Sequence, residues 1–109
     1  MLYIRIRNKM RNQCSSTLLV EDKKVRVTRF DFEPNQETGW HIHENDYVIT
    51  AITDCSMMLQ HPDGTETVSK VASGNAYIRD AGVHHNVINI SDQKMSFIEI
   101  EFKKSRVRK

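Results

Sequence analysis

The chain of 109 residues carries five histidines: His41, His43, His61, His84 and His85. Two of them form His41-Ile42-His43. On an extended strand, residues i and i+2 share a face, so both rings project to the same side. Two neutral imidazoles placed this way make a bidentate clamp, the ligand type used for zinc, iron, copper and nickel. By itself the pair is weak evidence, because His-x-His also occurs on ordinary surface strands. A second group lies some 40 residues further on. Gly74 is followed by five residues, then Asp80-Ala81-Gly82-Val83-His84-His85, then Asn89.

Together these two segments resemble the two-part signature of the cupin superfamily. The first part of that signature is a glycine, a His-x-His pair and an acid three or four residues later. The second is Gly-x5-Pro-x-Gly-x2-His-x3-Asn. Gly74, Gly82, His85 and Asn89 match the second part in register, and His41 and His43 match the heart of the first. The 18 residues between Cys55 and Gly74 suit a hairpin joining the two. The resemblance spans roughly residues 24–102. Thr38-Gly39-Trp40-His41-Ile42-His43, Asp46-Tyr47-Val48, the stretch from Ala81 to Asn89, and Phe97-Ile98-Glu99-Ile100-Glu101 further resemble a group of small single-domain cupins associated with β-alanine degradation. The chain departs from the pattern in three places. Asp80 stands where proline is usual, and Asp54 or Cys55 where the first motif ends in glycine. The usual acidic ligand is missing, with Asp46 and Tyr47 standing three and four residues after His43. At period two from His43, Tyr47 points inward and Asp46 outward; a bulge after the pair would reverse that.

The resemblance implies an all-β fold, a single double-stranded β-helix or jelly-roll barrel, with a divalent ion (Fe, Zn, Mn or Ni) held by His41, His43 and His85. Three neutral imidazoles leave such an ion its full charge and open positions, which favours hydroxide or an anionic small molecule. Tyr47 is then the candidate catalytic group, as a general acid or weak fourth ligand. The implied function is a metalloenzyme acting on a small carboxylate or amino-acid-derived metabolite by dioxygenase, lyase or isomerase chemistry. The alternatives are a non-catalytic ligand-binding or sensor protein, and a structural relic with an empty barrel. Trp40 or Tyr77 suits the aromatic position near a barrel mouth.

Each of these residues also has a plainer reading. His84 has opposite parity to His85 and faces away. His61 sits in a His-Pro-Asp-Gly turn and is solvated. Glu44 and Asn45 read as loop residues, and Trp40 as core. Met57 and Met58 are adjacent and face opposite sides, one of them filling core.

The elements that must position the imidazoles are strands. Turn chemistry recurs every 8–12 residues or so, the spacing of a sandwich or barrel, and helix signals are nearly absent. Val25 and Val27 alternate with polar neighbours, and Phe30 and Phe32 continue in the opposite phase, which suggests a bulge near Thr28-Arg29. Further strands are expected at 46–53, 56–60, 65–71, 76–79 and 83–90. In the last strand Ile98, Ile100 and Phe102 face one way and Glu99 and Glu101 the other. The expectation is nine or ten strands, closed or nearly closed so that few edges stay bare.

Composition fits one soluble domain: 39 % hydrophobic and 28 % charged residues,. The organisation expected is an N-terminal strand and linker over 1–20, a barrel over 21–102 and a basic tail over 103–109. The net charge of +2 conceals basic ends. Arg5, Arg7, Lys9 and Arg11, with Lys103, Lys104, Arg106, Arg108 and Lys109, leave seven basic residues against 14 acidic ones between. These ends read as solvated termini without interleaved aromatics, so no nucleic-acid partner is expected. No apolar run approaches a membrane span or a secretory signal, and two cysteines make no disulfide framework; both point to the cytoplasm. Leu2, Ile4 and Ile6 alternate as an edge strand expected to join a neighbour's sheet in a homodimer.

Overall fold

The computed structural model describes residues 11–104. Nine antiparallel strands follow one another: β1 (Ser15–Glu21), β2 (Val25–Phe32), β3 (His41–Ile42), β4 (Asp46–Ala51), β5 (Cys55–Gln60), β6 (Glu66–Val71), β7 (Ala76–Arg79), β8 (His84–Asn89) and β9 (Met95–Phe102). No helix occurs among the described residues. Two sheets form, ordered β1-β2-β9-β4-β7 and β3-β8-β5-β6. This is the double-stranded β-helix expected from the pattern of strands and turns.

Alternation along each strand decides which side chains meet between the sheets. Phe32 of β2, Ile49 and Ala51 of β4, Met57 of β5, Val87 of β8, and Met95 and Phe97 of β9 form the core. Phe97 lies between Phe30 and Phe32, with ring centroids 5.5 Å away from each. The outer face of the larger sheet carries a second apolar row, where Val27 pairs with Ile100 and Ile100 with Val48.

Two expectations are corrected. The phase change in β2 is not a bulge, because β2 pairs with β9 without a break from Val25 to Phe32. The irregularity lies across the ladder in β1, between Leu18 and Val20. Residues 15–21 are no linker but β1 itself, which the sequence conceals because every residue in it is exposed and no alternation is imposed,. The proposed strand around Leu2–Ile6, and most of the basic tail, lie outside the described residues.

In β9 the inward face is the one that carries Glu99 and Glu101, continuing from Met95 and Phe97. Ile98, Ile100 and Phe102 take the outer face. Carboxylates therefore stand where an apolar barrel would have a hydrophobic wall.

Candidate metal centre

The pairing of β3 with β8 sets His41 directly opposite His85. Opposed residues in an antiparallel ladder hold their Cβ atoms about 5 Å apart, so rings 44 positions apart in sequence become neighbours. His43 follows on the same side. Its carbonyl accepts a hydrogen bond from the Gly82 N–H at 2.8 Å, and its own N–H donates to the Val83 carbonyl at 2.9 Å. Gly82 has φ +101°, a conformation that L side chains rarely adopt,. The turn of the second motif thus holds the backbone of the first.

The three Nε2 atoms converge. His41 Nε2 lies 3.1 Å from His43 Nε2, which lies 3.2 Å from His85 Nε2. The rings stand edge-on to one another, at interplanar angles of 76°, 70° and 84°. Nitrogens bound to one ion at about 2.0–2.1 Å, with angles between octahedral and tetrahedral, are separated by about 2.9–3.4 Å. The observed spacings fall in that window, so the donor set fits a single divalent ion. The tautomer of His41 fits as well. Its Nδ1 lies 2.8 Å from the Gly39 carbonyl, which can only accept. The proton therefore sits on Nδ1 and the Nε2 lone pair faces the cluster.

Burial keeps the rings neutral. His43 is brought down to about 4, first by desolvation and then by His41, and His85 to about 3, first by desolvation and then by His41 and His43. Each folded value lies below the ordinary 6.5. Between those values and pH 6.5 the unfolded chain binds more protons. The stabilising contribution is complete above pH 6.5 and is lost as pH falls toward 4 and 3. Glu99 works the other way, because burial first and the charge of Glu101 second raise it from 4.5 to about 7. Its contribution is full below 4.5 and is lost as pH rises through 7. Two rings outweigh one carboxylate. Chelator-treated protein is expected to lose about 3 kcal/mol of stability between pH 6.5 and 4.5, read as the urea midpoint at each pH. A flat midpoint across that range would contradict buried neutral rings.

Behind His41 lies a polar network around Asn86, whose side chain is buried at 2 % exposure. Asn86 Oδ1 accepts the Gly39 N–H at 2.9 Å, and Nδ2 donates to Glu37 Oε1 and Gln60 Oε1, each at 2.9 Å. Gly39 is thus clamped on one side and orients His41 on the other. It has φ +85°, and a Cβ there would lie 3.1 Å from the side-chain amide of Gln13. Gly39→Ala is expected to cost about 1–2 kcal/mol and to weaken metal retention, measured by thermal melting and elemental analysis. Unchanged melting would remove Gly39 from this role.

The imidazoles open on a cavity of about 340 Å³. Tyr47 lines it, buried at 2 % exposure and stacked flat on His43, with ring centroids 3.7 Å apart and planes 14° apart. Burial, then the neighbouring Tyr77 and Glu99, push its phenol above the ordinary value. Tyr47 therefore points inward, as period two requires, and Asp46 points away, with Oδ1 accepting the Ala81 N–H at 2.8 Å. Tyr77 and Glu44 also line the cavity, so Glu44 is a loop residue that reaches it.

The other readings divide. Trp40 is neither core nor wall: it is 52 % exposed and packs edge-on against His84 outside the cavity. His84 faces outward as its parity requires, and His61 bonds Thr67 Oγ1 at 2.8 Å in the distant turn. Met57 fills core. Asn89 is fully buried and holds the following loop through Ser91 and the Gln93 carbonyl rather than the imidazoles. Sequence reasoning missed two residues. Glu99 Oε1 stands 3.9 Å from His43 Nδ1; its shared parity with Met95 and Phe97 was the available signal. Asn86, a polar residue between His85 and Val87, gave none.

A double-stranded β-helix with three inward imidazoles at one end defines a small barrel protein with a possible three-histidine metal site. The cupin domain family matches residues 28–101, and the chain belongs to it. The chain is 44 % identical over 93 residues, 85 % of its length and 97 % of the relative's, to the β-alanine degradation protein BauB of Pseudomonas aeruginosa. A cupin domain from Bordetella pertussis superposes with a TM-score of 0.83 at 40 % identity, covering 87 % of this chain and 98 % of that one. The polyketide cyclase RemF of Streptomyces resistomycificus shares the fold alone, with a TM-score of 0.66 at 21 % identity, covering 89 % of this chain and 72 % of that one. Some cupins of this shape are therefore enzymes. No helix among the described residues is long and apolar enough to cross a membrane.

Proposed function

We propose that the chain is a metal-dependent enzyme that acts on a small carboxylate or amino-acid-derived metabolite. The observation that carries this reading is the convergence of three Nε2 atoms, 3.1 and 3.2 Å apart, at the wall of a cavity. His41, His43 and His85 would hold the ion, with supply and geometry selecting among iron, zinc, manganese and nickel. When bound, such an ion supplies Lewis acidity and, if iron, redox chemistry. The similarity to BauB supports a small catabolic substrate.

The chain's own residues do the rest. The three rings present lone pairs and leave one side open to a carboxylate. Tyr47, protonated at neutral pH, offers its hydroxyl proton to a ligand in the cavity and is the proposed catalytic residue. The stack of Tyr47 on His43 fixes both rings, and the apolar wall of Ile49, Val87 and Phe97 limits the access of water.

The test is a screen of small acids and amino acids under oxygen and under argon, on protein of measured metal content. Tyr47→Phe keeps the stacked ring and loses only the hydroxyl. Turnover is expected to fall about a hundredfold with metal content unchanged. Full activity in that variant would remove Tyr47 from catalysis. A phenol held so far above neutrality favours one second reading, a ligand-binding or sensor protein. That reading predicts tight binding without turnover.

We place the protein in the cytoplasm as a homodimer. The free thiols of Cys14 and Cys55 support a reducing compartment,. The exposed Leu18, Leu19 and Val20 of β1, at 53 %, 44 % and 54 %, support pairing with a second copy,. Light scattering that gives a monomer mass at micromolar concentration would contradict the dimer.

A further inference from the structure

The acidic side chains that line the cavity, Glu99, Glu101 and Glu44, face no lysine or arginine in its described wall. Glu99 and Glu101 stand two positions apart on the inward face of β9. Glu101 pairs with Tyr47 across the ladder, and Glu99 with Ile49. The Glu99 side chain is 12 % exposed, and its Oε1 lies 3.9 Å from Nδ1 of the buried His43 ring.

Two arginines share this face of the sheet but form no ion pair with its carboxylates among the described residues, although the charge of Arg26 favours ionised Glu99. Arg26 pairs with Glu101 across β2, yet its side chain is exposed and forms no ion pair among the described residues. Arg79 pairs with Tyr47 across β7 but lies over the Tyr77 ring, 4.5 Å from its centroid, and donates to the Ile78 carbonyl at 3.1 Å. An enclosed carboxylate without a counter-charge is costly, and in folded proteins it is ordinarily paired.

Tyr47 gives an independent indication. Tyr47 is 2 % exposed, and its hydroxyl forms no hydrogen bond among the described residues. It faces the same cavity. No buried side-chain oxygen among the described residues lacks a partner, so the unpaired Tyr47 hydroxyl opens onto the cavity, where a ligand would lie.

We propose that the cavity binds a small amino carboxylate as a zwitterion, its ammonium group against Glu99 and Glu101 and the Tyr47 hydroxyl, its carboxylate toward the three imidazoles. Ionised, Glu99 and Glu101 accept N–H bonds from the ammonium group, and the Tyr47 oxygen accepts one more. The imidazole end takes the opposite charge only if an ion is held there, so this end of the assignment rests on the metal-centre reading. The ammonium end does not. A volume of about 340 Å³ is at the small end for ligand pockets, roughly 300–1,000 Å³, and suits a chain of a few carbons,.

The test uses three four-carbon probes, 4-aminobutanoate, butanoate and butylammonium, titrated calorimetrically into metal-loaded and chelator-treated protein. In loaded protein, 4-aminobutanoate is expected to bind at least tenfold more tightly than butanoate. Butylammonium is expected to bind with or without metal. Glu99→Gln and Glu101→Gln keep shape and remove charge. Each is expected to weaken both amines about tenfold and to leave butanoate unchanged, with metal content unchanged in Glu101→Gln, the variant farther from the imidazoles.

Equal or tighter binding of butanoate, no binding by any probe, or an amine preference that survives in both variants would overturn the assignment. Failure of the metal centre alone looks different. The protein would then hold no ion and butanoate would not bind, while butylammonium would still distinguish the native chain from the two variants.

Discussion

His85→Ala is expected to leave purification with background metal where the native chain retains about one ion. Removing a hydrogen-bond partner of a metal ligand commonly costs 10–100-fold in affinity, and removing one of three protein ligands costs more, about 1,000-fold or above. The loss should not come from unfolding. β8 is held to β5 through four residue pairs, Met57–Asn89 to Gln60–Asn86, none of which involves the His85 ring. The variant also loses a buried imidazole whose protonation works against the fold at low pH. His84→Ala is the matched control: the adjacent side chain faces outward and touches Trp40 instead. Elemental analysis and competition against a chelating dye should separate the two variants. If His85→Ala retains as much metal as His84→Ala, the three-imidazole centre is wrong.

Asn86→Ala should be the most destabilising substitution outside the apolar core. It removes the acceptor of the Gly39 N–H and the donors to Glu37 and Gln60 together, in a site with 2 % exposure. Each group left without a partner costs about 1–3 kcal/mol, so the total is about 4 kcal/mol, or about a thousandfold in the folding constant. For a domain of this size the melting temperature should fall by about 15–30 °C. Metal affinity should fall too, by about 10–100-fold, because the Gly39 carbonyl that holds His41 Nδ1–H loses its anchor,. Asn89→Ala distinguishes the two effects. It frees the loop after β8 and should lower the melting temperature while metal binding persists. If the two variants behave alike, Asn86 is a structural residue only.

What could be read from the chain depended on whether a residue's role was local. Parity along one strand is local, and it separated His85 from His84 and Tyr47 from Asp46. The turns after Gln60 and Arg79 carry their own chemistry, and β7 lies over the stretch expected, Ala76–Arg79. The family motif linked the two distant segments, which no local rule could have done. The failures share a cause. β1 buries nothing, so its sequence bears no imprint of a core. The inward face of β9 was hidden because its outer face is the more apolar one, supplied by pairs such as Val27–Ile100. Hydrophobicity marks the buried face only when the buried face has no chemistry to perform, and Glu99 and Glu101 break that rule. Asn86 draws its meaning from Gly39, Glu37 and Gln60, which the fold brings to it from up to 49 positions away.

The brevity of β3 has a consequence for how the protein is assembled. Two residues, His41 and Ile42, make its ladder with β8, and the backbone bonds of Thr38 to Val87 and of His43 to Gly82 and Val83 extend that margin only a little,. An ion shared by His41, His43 and His85 would rivet that margin to the strand beside it and cross-link points 44 residues apart. Loading and final closure would then be one thermodynamic event, with ion concentration setting how firmly the barrel is latched.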